Sequence, residues 1–215
     1  MFDQTSFAEL SINDIDTLYQ HYLAILYHES QRKSNSNTKD ICETYGEILY
    51  SGVDKILSII QPTEHDVFAD YGSGLGKVVI QVFLKSLVRE AYGIESVPEL
   101  HQYALKSAQR IQNELPEFYQ NGRSLHFLLG NFLEEPIPSV TIAFVNATCF
   151  TQSLLNGLGK ILELTPSIHT VLSMRPIGVL ERLPFKRTIR IECSWDAALC
   201  YVYSTEERAR NNFRN

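Results

Sequence analysis

The sequence predicts an α/β fold: a Rossmann-like, doubly wound sheet of seven mostly parallel strands that closes on an antiparallel hairpin, with a helical appendage at the N-terminus. Three observations predict it. Apolar runs of strand length alternate with amphipathic stretches of helical spacing through the middle of the chain. A glycine-rich turn, Gly72-Ser73-Gly74-Leu75-Gly76, joins the first apolar run to a helix. After the alternation ends, two apolar runs at 187–194 and 198–203 follow each other across a tight turn.

Taken in order, residues 1–10 carry no pattern. From Ser11, with Asp14 three residues on as in a capping box, Ile12, Ile15, Leu18, Tyr19, Tyr22 and Leu26 recur at helical spacing to about His28. Residues 31–40 include Ser34-Asn35-Ser36-Asn37 and read as a linker, so 1–40 is expected to be a helix and linker, 41–205 the main domain and 206–215 a short basic tail. A helix over 51–60 carries Val53, Ile56, Leu57 and Ile60 on one face and stops at Pro62. The first strand, Val67-Phe68-Ala69, runs into Asp70, and the helix after the glycine turn extends to about Val88.

A second strand, Ala91-Tyr92-Gly93-Ile94, ends in Glu95, and Pro98 then opens a helix at its favoured first position. Its inner stripe is Leu100, Tyr103, Ala104, Ala108 and Ile111. Strands are expected over 125–129, 141–145 and 169–173, with a helix over 151–163; the first two strands end in Gly130-Asn131-Phe132 and in Asn146. His126 and His169 fall in apolar strands and read as core. In such sheets ligands sit beyond the carboxyl ends of the strands, where Asp70, Glu95, Asn131 and Asn146 all fall.

The turn selects its ligand. A phosphate loop needs Gly-Lys followed by Ser or Thr, and Lys77 is followed by Val78. A nicotinamide fold spaces its glycines one, three and six and faces a pyrophosphate, which Asp70 would repel; Gly72, Gly74 and Gly76 are spaced one, three and five. A ligand with a cationic amino acid portion and no phosphate fits, and S-adenosyl-L-methionine is such a ligand. Asp70 and the loop would face its methionine end, and Glu95 would accept both ribose hydroxyls.

With 215 residues and 24.5 kDa the chain suits one α/β domain with an appendage. A net charge of −6 argues against a general nucleic-acid-binding surface. From Arg175 onward eight Lys or Arg stand against five Asp or Glu, which leaves room for a local basic patch. Cys42, Cys149, Cys193 and Cys200 form no C-x-x-C pair and have no His at zinc-ligand spacing, so reduced thiols and no metal are expected. Cys193 and Cys200 could face each other across the hairpin, a reducing compartment being the simpler reading. No leader-like segment and no run of 18 apolar residues is present, which predicts a soluble cytoplasmic or nuclear protein without a membrane partner.

With these residues placed, roughly from Thr44 to Tyr203 the sequence resembles the disruptor of telomeric silencing (Dot-one-like) family of histone lysine methyltransferases, which use the class I methyltransferase sheet. Tyr45-Gly46-Glu47 looks like the family's loop that covers the cofactor. Asp70-x-Gly72-Ser73-Gly74-x-Gly76 followed by Lys77, Val78 and Val79 is similar to its first motif, and Gly93-Ile94-Glu95 to its ribose-binding segment. Gly130-Asn131-Phe132 resembles the adenine-binding triplet; Val145-Asn146 with Phe150 resembles the asparagine and aromatic of the lysine channel. Residues 173–176 and Ser194-Trp195 match later landmarks.

Four departures stand out: Asn131 where the family usually has Asp, Ala147 in place of a second Asn, Lys77 where Gln is common, and a tail with only Arg208, Arg210 and Arg214. The resemblance implies Tyr45, Glu47, Asp70, Gly72, Ser73, Gly74, Gly76, Lys77, Glu95, Asn131, Phe132 and Asn146 around the cofactor. It implies Asn146, Tyr45 and Phe150 at the reacting amine, with Tyr201 or Trp195 as further channel walls.

Methyl transfer from a sulfonium needs a neutral amine. A free lysine is deprotonated at only about one part in 2,500 at pH 7, a cost near 4.6 kcal/mol, so a desolvating aromatic channel is what the chemistry calls for. The expected partner is a protein substrate, a histone or another lysine-bearing protein, bound by a monomer without sequence-specific nucleic-acid contacts. A methyltransferase of a small molecule or RNA is the alternative, because the sheet does not choose its substrate. Judged on their own, Phe132 and Phe150 read equally well as core.

Overall fold

The computed structural model describes residues 17, 48–137, 139–194 and 196–205. The helix expected over 11–28, the linker, Cys42, Tyr45, Glu47, Trp195 and the basic tail lie outside those residues, Thr17 apart. Within them the chain runs α1 (Tyr50–Ile60), β1 (Val67–Tyr71), α2 (Lys77–Lys85), β2 (Glu90–Glu95), α3 (Pro98–Glu114), β3 (Ser124–Leu129), β4 (Ile142–Val145), α4 (Gln152–Leu164), β5 (Thr170–Ser173), β6 (Phe185–Glu192) and β7 (Ala197–Ser204). The strands form one seven-stranded sheet of order β3-β2-β1-β4-β5-β7-β6. The five strands from β3 to β5 are parallel and β7 pairs antiparallel with both β5 and β6, as the alternation and the closing pair predict.

Strand β1 lies at the centre of the five parallel strands and all five of its residues are buried, which is why it reads as a continuous apolar run instead of an alternating one. The chain moves from β1 outward to β2 and β3, then crosses back to β4 on the other side of β1. The order therefore reverses between β1 and β4, and a crevice opens there beyond the strand ends.

Each face of the sheet carries its own core. On one, Val53, Ile56, Val79, Ile80, Phe83, Ala104 and Ile111 from α1, α2 and α3 pack on Phe68 and Phe144. On the other, Leu155, Leu158 and Leu162 of α4 pack on Ala69, Val145, Val171 and Tyr203. Full burial of each such side chain contributes about 1.5–3 kcal/mol, so these two layers hold the strand ends in register.

Several expected details shift. Helix α1 buries Gly52, Val53, Ile56 and Ile59, leaving Leu57 and Ile60 half-buried. The rotation follows from Gly52, where a Cβ would stand 2.6 Å from the Glu192 carbonyl oxygen at the end of β6. Helix α3 buries His101, Ala104, Ser107 and Ile111, with Leu100, Tyr103 and Ala108 half-buried, so its inner stripe is turned from the expected one. Small residues allow the close approach, and the Ser107 hydroxyl satisfies itself on the Tyr103 carbonyl at 2.7 Å.

Helix α2 ends at Lys85 because Ser86 takes extended backbone. The Arg123 guanidinium then donates to the carbonyls of Phe83, Ser86 and Val88 beyond that end. Strand β6 begins two residues earlier than expected, with an irregularity between Phe185 and Arg187. His126 and His169 are half-buried and polar in their contacts, not core: His126 stacks on Tyr92 at 4.7 Å, and His169 Nε2 lies 2.9 Å from the Asp66 carboxylate. Cys149 is exposed, Cys193 and Cys200 are buried, and none of the three forms a disulfide; Cys200 stands opposite Ile189 across the hairpin.

The C-terminus of α4 is closed by one side chain. Arg182 donates to the carbonyls of Leu162 at 3.1 Å, Glu163 at 3.1 Å, Thr165 at 2.9 Å and Ile168 at 2.7 Å. A cation suits that helix end, where unpaired carbonyls and the negative end of the dipole coincide. Arg182→Ala is expected to lower the unfolding free energy by about 2–4 kcal/mol, because it leaves several half-buried acceptors without a donor. Urea titration checks this; a loss below about 0.5 kcal/mol would mean that water replaces the guanidinium at no cost.

Candidate active site

Four strand ends meet at the crevice. Asp70 is the penultimate residue of β1 and Glu95 the last of β2; Asn131 lies two residues beyond β3, and Asn146 follows β4 directly. Between the first two runs the glycine turn. Gly72 and Ser73 both donate backbone N–H groups to the Ile94 carbonyl, at 2.9 and 3.0 Å, which ties the turn to the tip of β2.

Two of the glycines are required by geometry. Gly72 has φ +88° and a Cβ there would meet the Phe150 ring at 3.0 Å; Gly76 has φ +80° and a Cβ there would stand 2.5 Å from the Phe127 ring. A side chain at either would be strained and would push an aromatic ring aside, Phe150 at the crevice or Phe127 in the core.

Glu95 is 4% exposed and braces the turn. One carboxylate oxygen accepts the Gly74 N–H at 2.8 Å and the other the Val97 N–H at 2.9 Å. Each oxygen has a second lone pair, so the acid can hold the loop and still accept from a ligand's hydroxyls.

Asp70 is set differently. It is 3% exposed, and its Oδ1 has no hydrogen-bond partner; neither does the buried Ser73 Oγ. Burial, followed by repulsion from Glu95, pushes the Asp70 carboxyl well above the usual carboxylate range. An orphaned buried carboxyl oxygen is costly, and a cation or donor brought in by a ligand would satisfy it.

The wall beyond β4 is aromatic. A short 3-10 turn, Ala147–Cys149, follows Asn146 and presents Phe150. The Phe150 ring lies 5.4 Å from that of Phe132, which meets Tyr71 edge-on at 6.1 Å. Phe132 is buried and Phe150 half-buried, so these two bring core packing to the rim of the crevice. The Asn146 side-chain amide oxygen, Oδ1, accepts from the Thr148 hydroxyl at 3.2 Å.

Asn131 is exposed and engaged with its own loop: its Oδ1 accepts the Leu133 N–H at 3.0 Å and its Nδ2 donates to Glu134 at 2.9 Å. Lys77 opens α2 and is half-buried. Tyr201 of β7 stands opposite Ser173, the last residue of β5, at the same end of the sheet, with its ring 6.3 Å from Phe185.

One contributor stood in the sequence only inside the 173–176 landmark, with no role attached to it. Arg175, just past β5, sends its guanidinium to the carbonyls of Ala147, at 3.3 Å, and Phe150, and to Gln152 Oε1 at 3.0 Å. The resemblance marked the segment, but nothing in the sequence marked which carbonyls this guanidinium would reach. No cluster of His, Cys, Asp or Glu able to hold a metal occurs among the described residues, and no helix among them is long and apolar enough to cross a membrane.

Comparison with known proteins agrees with this layout. The sequence model of the family described as "Histone methylation protein DOT1" matches residues 24–187. A relative from Drosophila melanogaster, "Histone-lysine N-methyltransferase, H3 lysine-79 specific", is 28% identical over 141 residues, covering 62% of this chain and 8% of its own length. Among solved structures, an RNA methyltransferase from Salinibacter ruber in complex with S-adenosyl-L-homocysteine superposes with a TM-score of 0.50 at 24% identity, over 72% of this chain and 90% of that one. A dimethyladenosine transferase from Plasmodium falciparum gives 0.54 at 13% identity, over 77% and 65%. These likenesses establish the class I methyltransferase fold. With its glycine turn, paired strand-end acids and Asn146-to-Phe150 segment all inside the matched range, the chain belongs to the histone methylation protein DOT1 family.

Proposed function

We propose that this chain is an S-adenosylmethionine-dependent methyltransferase that modifies a lysine amine of a protein. The observation that carries the reading is the orphaned Asp70 Oδ1, buried beside the unpartnered Ser73 Oγ in the crevice that Glu95 also faces. These groups fit the cofactor: an acid and a hydroxyl lacking partners suit its ammonium, and the spare lone pairs of Glu95 suit its ribose. Family membership and the relative named for lysine 79 of histone H3 support a protein lysine as acceptor.

When bound, the cofactor supplies an electrophilic methyl group on a sulfonium. The protein's share is placement. Asp70 anchors the amino acid end, the turn from Gly72 to Gly76 lies close against it, and Glu95 fixes the ribose end. Phe150, braced by Phe132 behind it, walls the approach to the methyl group and excludes water. An ammonium entering beside those rings loses solvation, and its pKa falls toward the working pH. Asn146, at the tip of β4, orients the incoming amine through its amide. Asn131 contributes through the loop that it closes, so the adenine is held chiefly by the apolar surface of Phe132.

Radiolabelled cofactor incubated with nucleosomes, free histones and a cell lysate tests the proposal. Label retained on lysine after nuclease treatment is the expected result; label on RNA or small molecules alone contradicts it. Asn146→Ala is expected to keep S-adenosylhomocysteine binding within about threefold while turnover drops about 100-fold, since it removes positioning and not affinity. Equal turnover in the variant would remove Asn146 from the mechanism.

A further inference from the structure

We infer that Arg175 is a positioning residue that sets the wall of the methyl-transfer site from outside it; the inference rests on the reading above. Helix α4 begins at Gln152 with Thr151 as its cap, whose hydroxyl accepts the Leu154 N–H at 3.2 Å. The Arg175 guanidinium sits at that helix start, donating to the Phe150 carbonyl, the Ala147 carbonyl at 3.3 Å and Gln152 Oε1 at 3.0 Å.

For stability alone this is the wrong end. A helix N-terminus presents the positive end of the dipole and unpaired N–H groups, and acids belong there. Two other arginines of this chain obey the rule: Arg123 covers carbonyls at the end of α2, and Arg182 covers those at the end of α4. Helix α4 has no acidic residue in its first turn, and Arg175 stands at its start instead. Features that break a local rule without a stabilising return collect at functional sites.

What the guanidinium holds explains the exception. The turn between Asn146 and Phe150 contains two backbone carbonyls, Ala147 and Phe150, that point to one cation. Fixing both sets the pitch of the whole turn, and with it the direction of the Phe150 ring. That ring has little latitude, lying over Gly72 on one side and 5.4 Å from Phe132 on the other. Arg175 is itself fixed: its N–H donates to Ser173 Oγ at 3.3 Å, and the neighbouring Met174 N–H donates to the Val145 carbonyl at 3.1 Å, extending the pairing of β5 with β4. The planar fork can bind two carbonyls and the Gln152 amide at once, which a lysine ammonium cannot match in geometry. Arg175 thus couples the tip of β5 to the wall that receives the amine, without lying on the substrate path.

The test uses the full chain carrying 3-fluorophenylalanine, with the Phe150 resonance assigned by Phe150→Leu, together with methyl transfer to nucleosomes. In Arg175→Ala the fluorine lines of Phe150 and Phe132 are expected to shift or broaden while that of Phe68, in the opposite core, stays put. S-adenosylhomocysteine affinity should remain within about threefold and kcat should fall about 10- to 100-fold with the cofactor KM unchanged. Millimolar guanidinium, far below denaturing concentrations, should restore both the lines and part of the turnover. Arg175→Lys should fall between, and Gln152→Ala, which keeps the charge, should lose about two- to threefold in kcat. If Arg175→Ala fails to fold, those two variants decide.

An unchanged Phe150 line with wild-type turnover would overturn the inference, as would a loss of turnover that tracks a loss of folded protein and is not rescued. Failure of the wild type to bind S-adenosylhomocysteine would instead strike the underlying proposal. Wild-type binding without transfer to nucleosomes leaves the fluorine lines and their rescue to decide for Arg175.

Discussion

Asp70→Asn is expected to make the empty protein more stable at neutral pH and to abolish its binding of S-adenosylhomocysteine. Both effects have one origin. The Asp70 carboxyl is buried, its Oδ1 lacks a partner, and Glu95 adds negative potential, so its folded-state pKa lies well above the ordinary aspartate value of 3.8. A group with a raised folded pKa binds its proton more tightly when folded than when unfolded. The stability that it contributes is therefore full below pH 3.8 and is lost as pH rises through the raised value.

Asparagine has the shape of the protonated acid and never ionises, so the variant escapes that loss. The melting temperature of the wild type should fall from pH 4 toward neutrality more steeply than that of the variant, and the variant should melt higher at pH 7. In the proposed function the same carboxylate pairs with the ligand's ammonium, and the variant lacks the charge for that pairing. A variant that melts lower than wild type at every pH would show that Asp70 is satisfied in the folded protein and would remove the argument.

Glu95→Ala is the second large effect, and it acts in the opposite direction on stability. Glu95 accepts the Gly74 and Val97 N–H groups, and charge-assisted bonds of this kind are worth about 1.5–3 kcal/mol each. Removing the acid orphans two donors at the turn, so the variant should lose about 2–4 kcal/mol of stability and at least about 100-fold in ligand affinity. Glu95→Gln offers a finer check. It keeps an acceptor oxygen for one N–H, points an amide donor at the other, and withdraws the charge that raises Asp70. The pH range over which Asp70 weakens the fold should accordingly move down in Glu95→Gln. Urea titration across pH and calorimetry with S-adenosylhomocysteine read both quantities; undiminished affinity in Glu95→Ala would take the acid out of the site.

The parts of this molecule that were legible beforehand are those governed by local rules. Strand β1 announces itself as an apolar run ending in an acid, Gly72 and Gly76 mark positive φ beside close-packed rings, and Pro98 stands at the start of α3. Because parallel strands put their carboxyl ends on one edge, locating Asp70, Glu95 and Asn146 at strand ends was enough to bring them to one crevice.

What stayed hidden depends on long side chains that reach across the fold. Arg123, Arg175 and Arg182 each bind carbonyls between 14 and 40 residues away in the chain, and nothing in periodicity marks which arginine will do so. The facing of α1 and α3 was misjudged because small residues, Gly52 and Ser107, decide it through close approach and not through hydrophobicity. Asn131 was placed correctly along the chain, yet its amide turns to its own loop, the usual competition between a short polar side chain and nearby backbone.

The central claim is that Asp70 and Glu95 grip opposite ends of one adenosyl ligand. Calorimetric titration of the full chain with S-adenosylhomocysteine, repeated at one acidic pH in two buffers of different ionisation enthalpy, tests it most directly. The account predicts one site per chain, proton release as the ligand's ammonium pairs with Asp70, and loss of that release in Asp70→Asn. Absence of binding heat at millimolar ligand, or binding that both Asp70→Asn and Glu95→Ala leave intact, would contradict it.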